Sequence, residues 1–307
     1  MLRFIASRLI QGIFTLLLLF TVTFTLVRQM PGNPYVAEKA VPAHILEMRK
    51  KESGLGAPAP VQYWLYLRNL VMRGDMGILF KKDGVTVTEV IRSSFPVSLA
   101  LGVLSMGIAL TIGIPAGVLA AVRRNSLTDY SLMGAAMLGI CLPSFVIGPV
   151  LAVVAGLQLG WLNVAGWNSW SDWVLPALTL GVINAAYLAR LTRGGMLEVL
   201  SQDFIRTARA KGVPGSRVIL RHTLRGGLLP AVTFLGPAFA GMISGSFVIE
   251  TIFQIPGMGQ HFVNAITDRE YDLIQGLVLF YGILILTANM LVDILQMALN
   301  PRLRKAS

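Results

Sequence analysis

The sequence predicts an all-α polytopic membrane protein with six transmembrane helices, and three observations carry that prediction. Of 307 residues, 54% are hydrophobic and only 13% are charged, whereas soluble chains carry about 25% charged residues. Uncharged apolar runs recur along the chain, several of them matching the roughly 20 residues that a helix needs to cross about 30 Å of hydrocarbon. Basic residues gather at one alternating set of connections, as they do in loops that resist translocation. The composition also excludes several chemistries. A single cysteine, Cys141, rules out an internal disulfide and any cysteine-based metal cluster. His44, His222 and His261 lie far apart and form no ligand-spaced pair. No Gly-Lys dipeptide occurs, so the chain has no Gly-rich phosphate loop of the Walker type.

The elements follow in order. Residues 9–27 are uncharged between Arg8 and Arg28; this run exceeds the core of a secretory signal and no small-x-small cleavage site follows, so it reads as a retained anchor. Residues 30–96 form the one sizeable extramembrane segment expected on the outer face. It opens on the turn-rich Met30-Pro31-Gly32-Asn33-Pro34, with a polar helix expected at 42–52. A second helix is expected at 61–72, with Tyr63, Leu67 and Leu70 on one face, and a short interfacial helix at 85–91. The segment suffices for a small cap and not for an independent catalytic domain. Residues 97–122 form the second span, ending at Arg123-Arg124, and 130–171 hold a third span plus a loop. Spans four to six are read at 173–189, 226–249 and 273–292. Pro143 and Pro149 in the third, with Pro230 and Pro237 in the fifth, fit bent helices that line a pathway or simply pack. Gly102, Gly113, Gly117, Gly134 and Gly139 suit close helix contacts. The division is therefore 1–29, 30–96 and 97–307, with a long basic loop at 190–227.

Charge placement sets the orientation. Two basic residues precede span one, two follow span two, eight lie between spans four and five, and three close the chain: fifteen of the 26. All fall on one side of a six-span chain, which places both termini in the cytoplasm. The net charge of +11 is thus a topology signal, and nucleic acid is not expected as a partner.

The 190–227 loop carries the functional reading. Two short helices are expected there, joined near Asp203. Asp203 suits the N-cap or first turn of a helix, where its carboxylate meets free N–H groups. Phe204, Ala208 and Lys211 share one side, while Arg206, Arg209 and Ala210 turn elsewhere; Ile205 and Thr207 complete the segment. Arg209 and Lys211 occupy the last turn, where the helix dipole favours cations. Gly212 with Pro214 beyond it supplies the stop. Such a short cationic helix suits insertion into a groove on a soluble partner; a basic loop that only fixes topology or touches anionic lipid is the alternative.

Ile205-Arg206-Thr207-Ala208-Arg209-Ala210-Lys211-Gly212, followed by Leu220-Arg221-His222 and Leu229-Pro230, resembles the cytoplasmic loop of ABC-importer permease subunits in the peptide and nickel branch. That pattern runs Glu-Ala-Ala, three residues, then Gly. Here Arg206-Thr207-Ala208 stand in the first three places and Gly212 in the last, so a salt bridge built on the missing acid does not carry over. Further stretches are similar to the same branch: Met30 to Pro34, Ser93-Ser94-Phe95-Pro96-Val97-Ser98, and Ile249-Glu250-Thr251-Ile252-Phe253 with Ile255-Pro256-Gly257-Met258-Gly259. Asp268-Arg269-Glu270-Tyr271 and Asn300-Pro301-Arg302 fit too, and the match is closest to oligopeptide-permease members. The resemblance implies a type I ABC importer permease fold in a bacterial inner membrane and a non-catalytic chain. It implies a second homologous permease, two cytoplasmic ATPases that hold the ATP and Mg, and an extracytoplasmic peptide-binding protein. The helix at 203–212 would couple to the ATPases. Peptides are the implied cargo, oligopeptides first, with dipeptides and nickel chelates elsewhere in the branch.

Four polar residues in the spans complete the candidate sites, because ionisable groups in hydrocarbon are costly. Asp293 reads as a structural group pairing with a cytoplasmic arginine, Arg302 and Arg304 lying not far beyond it. Glu250 reads as part of an outer gate or a structural group, and Asn184 and Asn289 as interhelical hydrogen bonds. An ion-coupled secondary transporter would want acids or histidine near the membrane midplane; here the acids sit near the faces and no span contains histidine. An intramembrane hydrolase would want a Ser–His pair, and Ser244, Ser246 and His261 show no orienting acid.

Overall fold

The computed structural model describes residues 2–30, 57–81, 84–244 and 247–299. Among the described residues the regular structure is helical, apart from one isolated antiparallel bridge between Ile78 and Thr86. Helix α1 (Leu2–Gln29) absorbs its polar residues locally: the Thr15, Thr21 and Thr25 hydroxyls each donate at 2.8 Å to a carbonyl one turn back. Helix α2 (Ala59–Arg73) stops at Gly74, where φ is +65°. It lays Tyr63, Tyr66, Leu67 and Leu70 against Phe20 and Phe24 of α1, which matches the helix expected at 61–72. The helix expected at 42–52 lies outside the described residues.

Helix α3 (Val87–Val122) is a single rod of 36 residues. The 85–91 stretch leads into its first turns and is not a separate element. The cause is local. Thr86 and Glu89 form a reciprocal capping box, and the buried stripe Val87, Val90, Ile91, Ser94, Ser98 continues in helical register through Pro96. Helix α4 (Leu127–Cys141) and α5 (Ser144–Leu151), which widens into π-type turns over Ala152–Gln158, meet at a 104° bend. The stretch read as the third span is therefore a bent pair of helices with Pro143 at the break, where the missing N–H removes a helical hydrogen bond.

Helix α6 (Trp170–Leu200) runs unbroken for 31 residues. The first of the two short loop helices expected near 190–202 is thus its own last turns. The chain continues through α7 (Asp203–Ala210), α8 (Gly215–Arg217), π-type turns at Val218–Thr223 and α9 (Leu224–Gly227). Helices α10 (Leu229–Ser244), α11 (Phe247–Ile252), α12 (Met258–Asp268) and α13 (Tyr271–Leu299) close the fold. Among the described residues five helices are long and apolar enough to cross a membrane, or six if the bent pair is one span.

The tightest packing joins α3 to α6. Gly113 and Gly117 face Ala185, Leu188, Ala189 and Thr192 so closely that a methyl at Gly117 would stand 2.4 Å from the Ala189 carbonyl oxygen. Gly181 does the same in return, against Ile108 and the Ser105 carbonyl. Small residues four apart on both helices let the backbones approach, the arrangement that favours association where lipid supplies no hydrophobic drive. On the other flank α1 lies along α13, where the Gln275 amide donates to the Phe20 carbonyl at 3.1 Å. The α12–α13 corner is clasped to the loop before α3: the buried Glu270 carboxylate accepts the N–H groups of Phe80 and Lys81, both at 2.6 Å. Burial pushes the Glu270 carboxyl up from the ordinary range, and those two donors pull it partly back.

Candidate coupling site

The chain turns at Ser201 and Gln202 and starts α7 with Asp203 in its first turn; Gln202 is the N-cap, and its side chain makes no capping bond. What fixes α7 to the bundle is Ile205. It is fully buried with Val199 of α6 and Val218 of the following segment, and Leu200, Ala208 and Val213 pack around the three. The helix ends in a Schellman motif: the Gly212 N–H reaches the Arg209 carbonyl at 2.9 Å, and the Val213 N–H reaches the Ala208 carbonyl at 3.2 Å. Gly212 sits at φ +74°, a left-handed conformation that side-chain-bearing residues adopt at a cost. The apolar contact that accompanies such an end is present between Val213 and Ala208, which share the cluster.

Asp203, Phe204, Arg206, Thr207, Arg209, Ala210, Lys211 and Gly212 are exposed. The expected set of Phe204, Ala208 and Lys211 on one side is split: Ala208 turns toward the buried cluster, while Phe204 and Lys211 face outward. Sequence reading included Ile205 without distinguishing it, although its spacing from Ala208 was a usable signal. The one ion pair on α7 among the described residues, Arg206 with Asp203 at 3.7 Å, is solvent-exposed and contributes little. The segment after α7 returns tightly onto α6, since a methyl at Gly195 would stand 2.3 Å from the Gly227 carbonyl oxygen. A short, capped, cationic rod is thereby held by one buried side chain at the end of a 31-residue helix.

The other candidates scatter. Asp293 pairs with Arg8 of α1 at 2.9 Å, a partner from the opposite end of the sequence; Arg302 and Arg304 lie outside the described residues. Asn184 donates to the Leu180 carbonyl of its own helix at 2.9 Å, a bond within the helix where one between helices was expected. Asn289 rests its side-chain oxygen against Gly236 of α10. Glu250 is fully buried at the end of the bundle away from α7. Its carboxylate accepts from the Ser98 hydroxyl at 2.9 Å and from the N–H groups of Gly259 and Gln260 at 2.8 and 3.2 Å. Ser98 in turn accepts the Met258 N–H at 2.8 Å. Two residues from distant elements thus satisfy the first-turn donors of α12, a role that local helices fill with their own N-cap.

Replacing Glu250 with alanine is therefore expected to loosen the α3–α11–α12 junction. Each buried donor left unmet costs about 1–3 kcal/mol, so the detergent-solubilised protein should melt several degrees lower. A variant that melts with its parent contradicts the clamp.

Sequence reading missed one further feature, the Asp129–Arg193 pair. The buried Asp129 carboxylate takes two bonds from the Arg193 guanidinium, at 2.7 and 2.8 Å, and a third from the Asn125 N–H at 2.9 Å. It ties α4 to the last third of α6, just before α7.

This chain belongs to the family described as the binding-protein-dependent transport system inner membrane component, whose model matches residues 113–305, while the family's N-terminal model matches residues 1–102. It is a multi-pass, non-catalytic membrane component. The oligopeptide transport system permease protein OppB of Haemophilus influenzae is 44% identical over 306 residues, covering 99% of this chain and 100% of that one. The dipeptide transport system permease protein DppB of Bacillus subtilis is 38% identical over 99% of this chain and 98% of that one. The glutathione transport system permease protein GsiC of Escherichia coli O6:H1 is likewise 38% identical, over 99% of each chain. Among solved structures, the inward-facing MetNI methionine ABC transporter matches 69% of this chain and 97% of its own with a TM-score of 0.58 at 17% identity. At that identity the likeness concerns the fold, which is that of an ABC importer permease.

Proposed function

We propose that this chain is the channel-forming subunit of an ATP-driven importer of peptides, coupled to separate ATPase subunits through α7 and its Gly212 end. The observation that carries this reading is a capped cationic rod seated by Ile205 at the foot of α6, in a chain that is similar along its whole length to permeases named for oligopeptide, dipeptide and glutathione transport. Oligopeptides are the favoured cargo, because the 44% relative is an oligopeptide permease protein. The chain pairs with a second, homologous permease, and two cytoplasmic ATPases bind ATP and Mg. An external peptide-binding protein delivers cargo to the face opposite α7, and both termini lie on the cytoplasmic side. ATP-driven closure of the ATPases draws the two coupling helices together, and the α6 rods carry that movement into the bundle.

The machinery asks α7 to be stiff and firmly seated, which gives a test. Gly212→Val forces a β-branched residue into the left-handed region, a strain of about 1–3 kcal/mol, and Ala208→Glu puts a carboxylate against the Ile205–Val218 cluster. Both variants are expected to reach the membrane and to lose peptide uptake, with ATP hydrolysis no longer tied to transport. Uptake and ATPase activity in proteoliposomes of the whole complex measure this; parental uptake by both variants would remove the coupling assignment.

A further inference from the structure

Beside α7 lies a cavity of about 470 Å³, walled by the foot of α6, by Phe204 of α7 and by the chain that returns toward α10. Arg221, His222 and Arg225 line one side, and Glu198 is the single acid. Among the described residues neither Arg221 nor Arg225 forms an ion pair within the chain. We propose that this cavity is a socket for an acidic side chain of the ATPase subunit that grips α7, its carboxylate held between Arg221 and Arg225 and its stem against Phe204. This rests on the coupling reading of α7 and deepens it, turning a helix that only enters its partner into a joint that also receives something from it.

Three features carry the inference. The socket shares Phe204 with the coupling helix, so a protein seated on α7 covers it. Two guanidinium groups against one carboxylate leave it positive, and arginine forks match a carboxylate with paired hydrogen bonds. Covering those arginines takes them out of water, and a desolvated charge without a counter-charge is strongly unfavourable; an acid from the covering partner supplies it. The volume also falls within the range of small-ligand sites, about 300–1,000 Å³, so a free anion is the outcome against which the test must discriminate.

The test uses the complete complex of both permeases and the ATPases. Arg221→Glu with Arg225→Glu is expected to weaken ATPase retention by roughly tenfold or more, as losing one partner of a covered charge pair does, and to lower uptake with it. The lysine versions of both positions should keep most of the retention, showing that the loop still folds. In the double-glutamate background, changing ATPase Asp and Glu residues to lysine one at a time should restore retention at one position. The proposal is overturned if the double-glutamate complex holds its ATPases and transports like the parent, or if no ATPase reversal restores it. It is also overturned if a free Glu-Glu dipeptide, and not the ATPases, shields Arg225→Cys from maleimide in a Cys141→Ser background. Should the unmodified permease pair fail to hold any ATPase, the coupling reading itself falls, a result distinct from the others.

Discussion

Leucine at Gly117 is expected to eliminate folded protein from the membrane. The α3–α6 contact has no room for even a methyl group there: it would stand 2.4 Å from the Ala189 carbonyl oxygen and 2.6 Å from Thr192 Cβ. Overpacking a core costs about 1–3 kcal/mol when side chains can shift. Here the obstacle includes backbone, and relief requires α3 and α6 to part along their length. Their separation would also disturb the neighbouring contacts of Gly113 with Ala185 and Leu188. The control lies in the same helix. Gly107 has nothing within 4 Å of an added methyl, so Gly107→Leu should leave expression and the chromatographic profile in detergent unchanged. Normal, monodisperse Gly117→Leu protein would show that the two helices are not held by close approach.

The second large effect concerns Arg193. Its guanidinium is the partner of an Asp129 carboxylate that is only 2% exposed, and Arg193→Ala leaves that charge buried beside a single backbone donor from Asn125. Breaking a buried pair in this way costs about 3–5 kcal/mol. The melting temperature in detergent should fall sharply, and ATP-driven uptake should fall with it, because the pair braces the stretch of α6 that leads into α7. Adding Asp129→Asn is expected to recover much of the stability, since the uncompensated charge is then gone. If Arg193→Ala melts with the parent, or if the second substitution makes matters worse, the pair is not a structural brace.

These two contacts show what a sequence reveals and what it conceals. Apolar runs announce membrane helices because twenty uncharged residues have few other stable uses, and the Gly113–Gly117 spacing was visible as a packing signal. Hydropathy alone does not reveal where helix α3 starts, because its first turns carry Glu89 and Arg92. The capping box at Thr86 and Glu89 was the available correction. The broken third span was foreshadowed by Pro143, but a proline in a membrane helix is compatible with a kink or a sharp corner, and the 104° angle depends on what packs around it. Polar partners were the least legible part. Asp293 announced a need for a cation without naming Arg8, 285 positions away. Glu250 reads as a gate or a clamp until Ser98 and the start of α12 are brought beside it. In the 190–227 loop, charge and the glycine stop are evident, whereas the choice of Ile205 over Phe204 as the buried anchor follows from how α6 presents Val199.

On the function proposed, α7 is the surface that an ATPase grips. A photo-crosslinking residue at Arg206, which the structure leaves exposed, tests it in membranes that contain the whole complex. A major adduct is expected with the mass of this chain plus one ATPase subunit, in a yield that changes when ATP is added. Adducts confined to lipid or to other membrane chains, unaffected by ATP, would contradict it.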